Sequence, residues 1–189
     1  VAWGDYDNDG DLDILLTGVN PSNGRISKVY KNNGNGTFTE QTSISLIGVE
    51  NGSVAWGDYD NDGDLDILLT GNLGYPGYAS VSKIYKNNGD GTFTEQTSIS
   101  LTGVYYSSVA WGDYDNDGDL DILLTGNNSD TLRVSKIYNN NGDGTFTDQT
   151  SISLTGVYLG SVAWGDYDND GDLDILLTGG VSKIYKNNG

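Results

Sequence analysis

One segment, VAWGDYDNDGDLDILLTG, occurs four times without a single change, starting at Val1, Val54, Val109 and Val162. The starts lie 53, 55 and 53 residues apart. A second block follows each copy: SKVYKNNGNGTFTEQTSISLIGV from Ser27, close variants from Ser82 and Ser135, and a shorter SKIYKNNG that runs to Gly189. A period of this length restricts the chain to an array of one supersecondary unit. Such a unit cannot bury both of its faces alone, so its neighbours must cover them. Copies this alike imply recent duplication or deliberate design.

Each unit reads as four short strands. In the first unit, residues 1–5 are β-branched and aromatic, and residues 13–18 form a continuous apolar run of strand length. Residues 27–32 alternate, and residues 36–44 alternate Thr and Phe before Ile44. Asn33-Gly34, Asn88-Gly89 and Asn141-Gly142 stand between the last two strands, where Asn-Gly favours a tight hairpin turn. No helical stripe of useful length occurs. Four strands in about 50 residues predict an all-β chain, a β-propeller made of four-stranded antiparallel blades. Three blades are complete, at 1–53, 54–108 and 109–161, and a fourth at 162–189 lacks its last strand. Trp3, Tyr30, Phe38 and their equivalents are expected to pack between blades.

The chemistry lies in one loop written four times. In the first copy Asp5, Asp7, Asp9, Asp11 and Asp13 occupy alternate positions, with Gly10 at the sixth. The other copies place Asp58, Asp60, Asp62, Asp64 and Asp66; Asp113, Asp115, Asp117, Asp119 and Asp121; and Asp166, Asp168, Asp170, Asp172 and Asp174. Five carboxylates in nine residues repel one another unless a cation lies among them. A hard cation that takes six to eight oxygens fits this spacing, and glycine permits the sharp bend. Side-chain ligation is expected from Asp5, Asp7, Asp9 and Asp13, with Asp11 offering its backbone carbonyl. Mg²⁺ demands octahedral geometry and keeps its waters, so a carboxylate cage favours Ca²⁺, one ion per blade and four in all.

Composition closes off other functions. Lys and Arg number 9 against 27 Asp and Glu, a net charge of −18, which opposes capture of nucleic acid or an anionic membrane surface. With no His and no Cys there is no Ser-His or Cys-His nucleophile pair and no thiol chemistry. No apolar run approaches ~18 residues, so no membrane span is expected. The only dense carboxylates are those of the loops, and a filled oxygen cage leaves no open position for an activated water. No enzymatic role is expected. The absence of Met points to a processed or trimmed chain.

The pattern D-x-D-x-D-G-x-L-D between two strands, in a Trp-Gly-Asp…Leu-Leu-Thr-Gly unit followed by Tyr-x-Asn-x-Gly-x-Gly-x-Phe, resembles the FG-GAP/VCBS repeat family across essentially the whole chain. That resemblance implies blades of integrin-α-type β-propellers, with Ca²⁺ held in the hairpin between a blade's first two strands. Propellers of that family are usually seven-bladed. The blades counted here therefore imply self-association, through a ring or an open fibre, or further blades of a longer chain.

The four units differ in two places: between the second and third strands (19–26, 72–81, 127–134, and 180–181) and at the joins between blades (50–51, 105–106, 158–159). In an up-and-down blade both emerge on the face opposite the calcium loops. Tyr75, Tyr78, Tyr105, Tyr106 and Tyr158 gather aromatic surface there, suited to a glycan or a surface protein. Asn35, Asn51 and Asn127 each begin an N-x-[ST] match. Three roles follow: a calcium-binding extracellular structural or adhesive module, a lectin-like carbohydrate-binding propeller, or a designed propeller without a natural ligand. Weak oxygen sites need abundant calcium, which places the chain outside the cell or at its surface.

Overall fold

A computed structural model describes every residue except 23, 75, 76 and 78. The described residues form fifteen strands and no helix, in four separate antiparallel sheets. The first sheet takes β1 (Ala2–Gly4), β2 (Asp13–Val19), β3 (Arg25–Asn32) and β4 (Phe38–Glu40) in chain order. The second takes β5 (Val54–Gly57), β6 (Asp66–Asn72), β7 (Ser80–Asn87) and β8 (Phe93–Glu95). The third takes β9 (Tyr105–Gly112), β10 (Asp121–Asn127), β11 (Arg133–Asn140) and β12 (Phe146–Asp148). The fourth has three strands, β13 (Val162–Gly165), β14 (Asp174–Thr178) and β15 (Ser182–Tyr185). The architecture is a β-propeller, with three blades of four strands and one of three. The first strands β1, β5, β9 and β13 lie side by side along the centre.

Two expectations shift. The strand expected over 36–44 pairs only at Phe38–Glu40, against Asn32, Lys31 and Tyr30. Its continuation turns instead, with Ile44 N–H donating to the Gln41 carbonyl at 3.2 Å, and Ile44 is buried on the way to the next blade. The join residues Tyr105 and Tyr106 belong to strand β9, where Tyr105 pairs with Asn127 across a bulge.

The sheets are buried by one another. On the second strand, alternate residues point to opposite faces. Ile67 and Leu69 join Leu15, Val29 and Tyr6 of the first blade, while Leu68 and Ile84 join Ile122, Leu124 and Tyr138 of the third. The same arrangement carries Leu123 and Ile137 onto Ile175 and Leu177. Three of the four Trp stack on the loop Tyr of the preceding blade: Trp56 on Tyr6 at 6.0 Å, Trp111 on Tyr59 at 6.3 Å and Trp164 on Tyr114 at 6.1 Å, with interplanar angles of 8°, 10° and 9°. The glycine after Trp makes this possible. A Cβ at Gly4, Gly57 or Gly112 would lie 2.5 to 2.6 Å from the next blade's indole. Phe93 completes the first of these aromatic clusters and Phe146 the second.

Candidate metal centres

Each aspartate loop joins the first two strands of its blade and is closed by its own carboxylates. Asp5 accepts the N–H groups of Asp9 at 3.0 Å and Gly10 at 2.9 Å, and Asp9 accepts that of Asp11 at 3.0 Å. Asn8 and Gly10 both hold positive φ, at 57° and 93°, which Asn and Gly tolerate best. Asp13 opens β2 and is fully buried. It accepts from Tyr6 N at 3.1 Å and from Asn32 N at 2.7 Å. The other loops repeat these contacts through Asp58, Asp62 and Asp66, through Asp113, Asp117 and Asp121, and through Asp166, Asp170 and Asp174.

This geometry brings three carboxylates together in every loop, with oxygens within 4.8 Å of one another. The sets are Asp5, Asp7 and Asp13; Asp58, Asp60 and Asp62; Asp113, Asp115 and Asp121; and Asp166, Asp168 and Asp174. The fifth-position residues Asp9, Asp117 and Asp170 lie beside their sets, whereas Asp62 is a member of its own. Side chains at the seventh position turn away: Asp64 accepts from Asn8 Nδ2 at 2.8 Å, Asp119 from Asn61 at 2.7 Å and Asp172 from Asn116 at 2.8 Å. Adjacent loops are thereby linked in series across the blades.

The residues present fit a hard divalent cation. Asp7 Oδ1 and Asp60 Oδ1 are buried and have no hydrogen-bond partner, a costly state for a carboxylate oxygen unless a cation meets it. Every candidate ligand is an oxygen, the donor type that calcium takes. Burial pushes the Asp66 and Asp121 carboxyls up to about 7, against the backbone N–H groups that favour their charged form. Asp13 is raised by the same cause. A nearby positive charge offsets that cost.

Reading the loop alone misses the cation that the chain itself supplies. Lys31 pairs with Asp7 and lies 2.8 Å from Asp9; Lys86 and Lys186 repeat this with Asp60 and Asp62 and with Asp168 and Asp170. The third repeat has Asn139 at that position, donating to Asp115 at 2.5 Å. Aligning the four copies reveals the exchange. What it means depends on the register of β2 with β3, which no single copy displays.

The opposite face carries the variable segments. Arg25 pairs with Glu50 at 3.2 Å, and the Arg133 guanidinium lies 4.9 Å from the Tyr158 ring centre. Tyr105 and Tyr106 have ring centres 5.0 Å apart. Tyr106 and Leu159 hold positive φ, at 48° and 53°, rare for large side chains. Each donates its N–H to the join of the preceding blade, Tyr106 to Asn51 at 2.6 Å and Leu159 to Tyr106 at 3.0 Å. Tyr75 and Tyr78 lie outside the described residues. Asn35 and Asn51 are exposed, whereas Asn127 is buried in β10.

A family model described as an FG-GAP-like repeat matches residues 5–69, 73–124 and 116–177. Among curated proteins, none matches the chain. A solved structure similar in fold is that of an Agrocybe aegerita lectin, described in terms of specific recognition of non-reducing terminal N-acetylglucosamine. The TM-score is 0.65 at 22% identity, over 97% of this chain and 51% of the lectin chain. The chain thus spans about half the length of that lectin.

Proposed function

The chain belongs to the FG-GAP-like repeat family, and from that premise we propose that it is a calcium-stapled β-propeller module with a structural or adhesive role outside the cell, and not an enzyme. The observation that carries this reading is the gathering of three carboxylates at each loop, with Asp7 Oδ1 and Asp60 Oδ1 buried and unpartnered. Asp5, Asp7, Asp9 and Asp13 and their equivalents would hold the ion, with Asp11 contributing its carbonyl. Bound calcium supplies positive charge that relieves the repulsion among them. The Asn8–Asp64 bond and its two repeats would pass that order from loop to loop. Sites of this kind in extracellular modules bind at ~10⁻⁴–10⁻³ M, which suits a calcium-rich compartment. Melting in calcium against melting in EGTA tests the reading. A clear rise with calcium is expected, because a ligand that binds only the native state stabilises it. An unchanged melting temperature overturns it.

The end faces favour a covering neighbour, either a second copy or further blades of a longer chain. Trp3, Asp11 and Asn32 at one end correspond to Trp56, Asp64 and Asn87, which meet a preceding blade. Tyr167, Asn169, Leu176 and Ile184 at the other correspond to residues that meet a following one. A cleft of about 280 Å³ lined by Tyr114, Trp164, Ile175 and Tyr185 lies where Phe93 and Phe146 complete the aromatic clusters of the inner blades. It suits the phenylalanine of a G-T-F-T strand. Light scattering over a range of concentrations is expected to show mass growth, and a monodisperse monomer throughout overturns self-association.

A second reading is glycan binding on the variable face. The exposed, backbone-strained Tyr106, its ring tilted against that of Tyr105, favours it, since strained positions cluster at functional sites. The lectin of similar fold adds weight by analogy only. Graded, sugar-competable binding on a glycan array that falls in Tyr106→Ala is the expected result, and silence on the array sinks this reading.

A further inference from the structure

The four loops are identical in sequence, yet their surroundings are not. Lys31 on β3 reaches Asp7 and stands 2.8 Å from Asp9 Oδ2. Lys86 reaches Asp60 and stands 3.0 Å from Asp62, and Lys186 reaches Asp168 and stands 3.0 Å from Asp170. Each ammonium bridges the third and fifth positions of its loop, two of the carboxylates assigned to the ion. In the third blade Asn139 takes that place and offers only a neutral amide to Asp115. Among the described residues no ammonium or guanidinium pairs with Asp115 or Asp117.

We propose that these lysines are built-in competitors for the loop cation, so that the third loop, lacking one, is the tightest of the four calcium sites. This rests on the calcium reading above. For a divalent ion to settle between Asp7 and Asp9, Lys31 must release both ion pairs. Its strand position then keeps it close: Lys31 pairs with Thr39 in register, one residue after the Tyr30–Ile14 pair that anchors β3 to β2. A unit charge held about 7 Å from a divalent ion in a solvated site lowers affinity by about tenfold. The third loop pays neither the displacement nor the repulsion. Filling would therefore begin in the middle of the array, at a loop joined to both neighbours through Asn61–Asp119 and Asn116–Asp172.

Calorimetric titration of calcium into the chelator-stripped chain tests this, comparing the unaltered protein with Asn139→Lys and Lys86→Asn. The unaltered chain is expected to show one tight site and three weaker by about tenfold. Asn139→Lys should lose the tight class and give four alike; Lys86→Asn should give two tight and two weak. Should one variant fail to fold, the other tests the same point in the opposite direction. One binding class that neither folded variant alters overturns this inference and leaves calcium binding standing. No calcium uptake by any of the three overturns the calcium reading, and this inference with it.

Discussion

The inner faces of the propeller and its two end faces carry the same residues in different surroundings. Leu68 and Leu123 are fully buried, whereas Leu176 at the corresponding place is 49% exposed. Ile84 and Ile137 are buried, and Ile184 is 60% exposed. At the other end Trp3 is 58% exposed, while Trp56 and Trp111 are largely covered by the loop tyrosines. Sequence is held constant across this comparison, so burial here is a property of the neighbour. In such an array stability is a sum of blade terms and nearest-neighbour interface terms. The difference between an inner blade and an end blade is close to one interface term.

Leucine truncation should break the comparison most visibly. Leu68→Ala removes a side chain from a packed interface with Ile122, Leu124 and Tyr138. Destabilisation of about 2–5 kcal/mol is expected from urea unfolding, the range for buried leucines. Leu176→Ala, the same change on an end face, should stay within about 0.5 kcal/mol for the dilute chain. Equal effects at both positions would mean that a partner covers Leu176 in solution.

Glycine sharpens the same contrast. A Cβ at Gly57 would lie 2.6 Å from the Trp111 ring, but one at Gly165 would meet nothing within 4 Å. Gly57→Ala should cost about 1–3 kcal/mol through overpacking. Gly165→Ala should be silent in the dilute chain and should suppress mass growth at high concentration. Mass growth unaffected by Gly165→Ala would rule out end-to-end joining through this face.

A hydrogen bond gives a smaller difference. Asn87 is buried and donates to the Tyr6 carbonyl of the preceding blade at 2.8 Å, as Asn140 does to Tyr59. Asn32, on an end face, donates instead to its own loop, at the Leu12 carbonyl at 3.2 Å. Asn87→Ala should cost about 0.5–1.5 kcal/mol, the usual net worth of such a bond, and Asn32→Ala less.

Much of this was legible in the residues. The apolar run of β2, the alternation of β3 and the Asn-Gly turns announce strands, because each obeys a local period or turn rule. The five aspartates announce a loop that gathers carboxylates for the same reason. The last strand was legible only in part, since the burial of Ile44 competes with pairing and bends the chain after Gln41. The lysines were hidden by distance. Lys31 lies 24 residues from Asp7, and only the pairing of Ile14 with Tyr30 carries it to the loop. Bonds between blades, such as Asn8 to Asp64, depend on packing that follows folding, and no local pattern encodes them.

The last contrast is between carboxylates covered by a neighbouring blade and those met by a lysine, and pH separates them. Asp66 and Asp121 titrate near about 7 in the folded chain because burial disfavours their charge, against about 3.9 in an unfolded one. Between those values the folded chain binds more protons than the unfolded chain, so stability falls as pH rises through this window. Asp9, Asp62 and Asp170 behave oppositely. Hydrogen bonds from Lys31 and Lys186 to Asp9 and Asp170, and from Asp64 N–H with Lys86 to Asp62, hold them below the usual range. Their contribution is present above about 4 and is lost in more acid solution. Without calcium, the urea midpoint is expected to peak near pH 4–5 and to decline toward pH 8. With calcium the slope over that range should reverse, since the ion needs the ionised carboxylates and protons compete with it. A calcium-free midpoint that climbs steadily from pH 5 to pH 8 would show that the covered carboxylates of the inner loops are not the ones that set the balance.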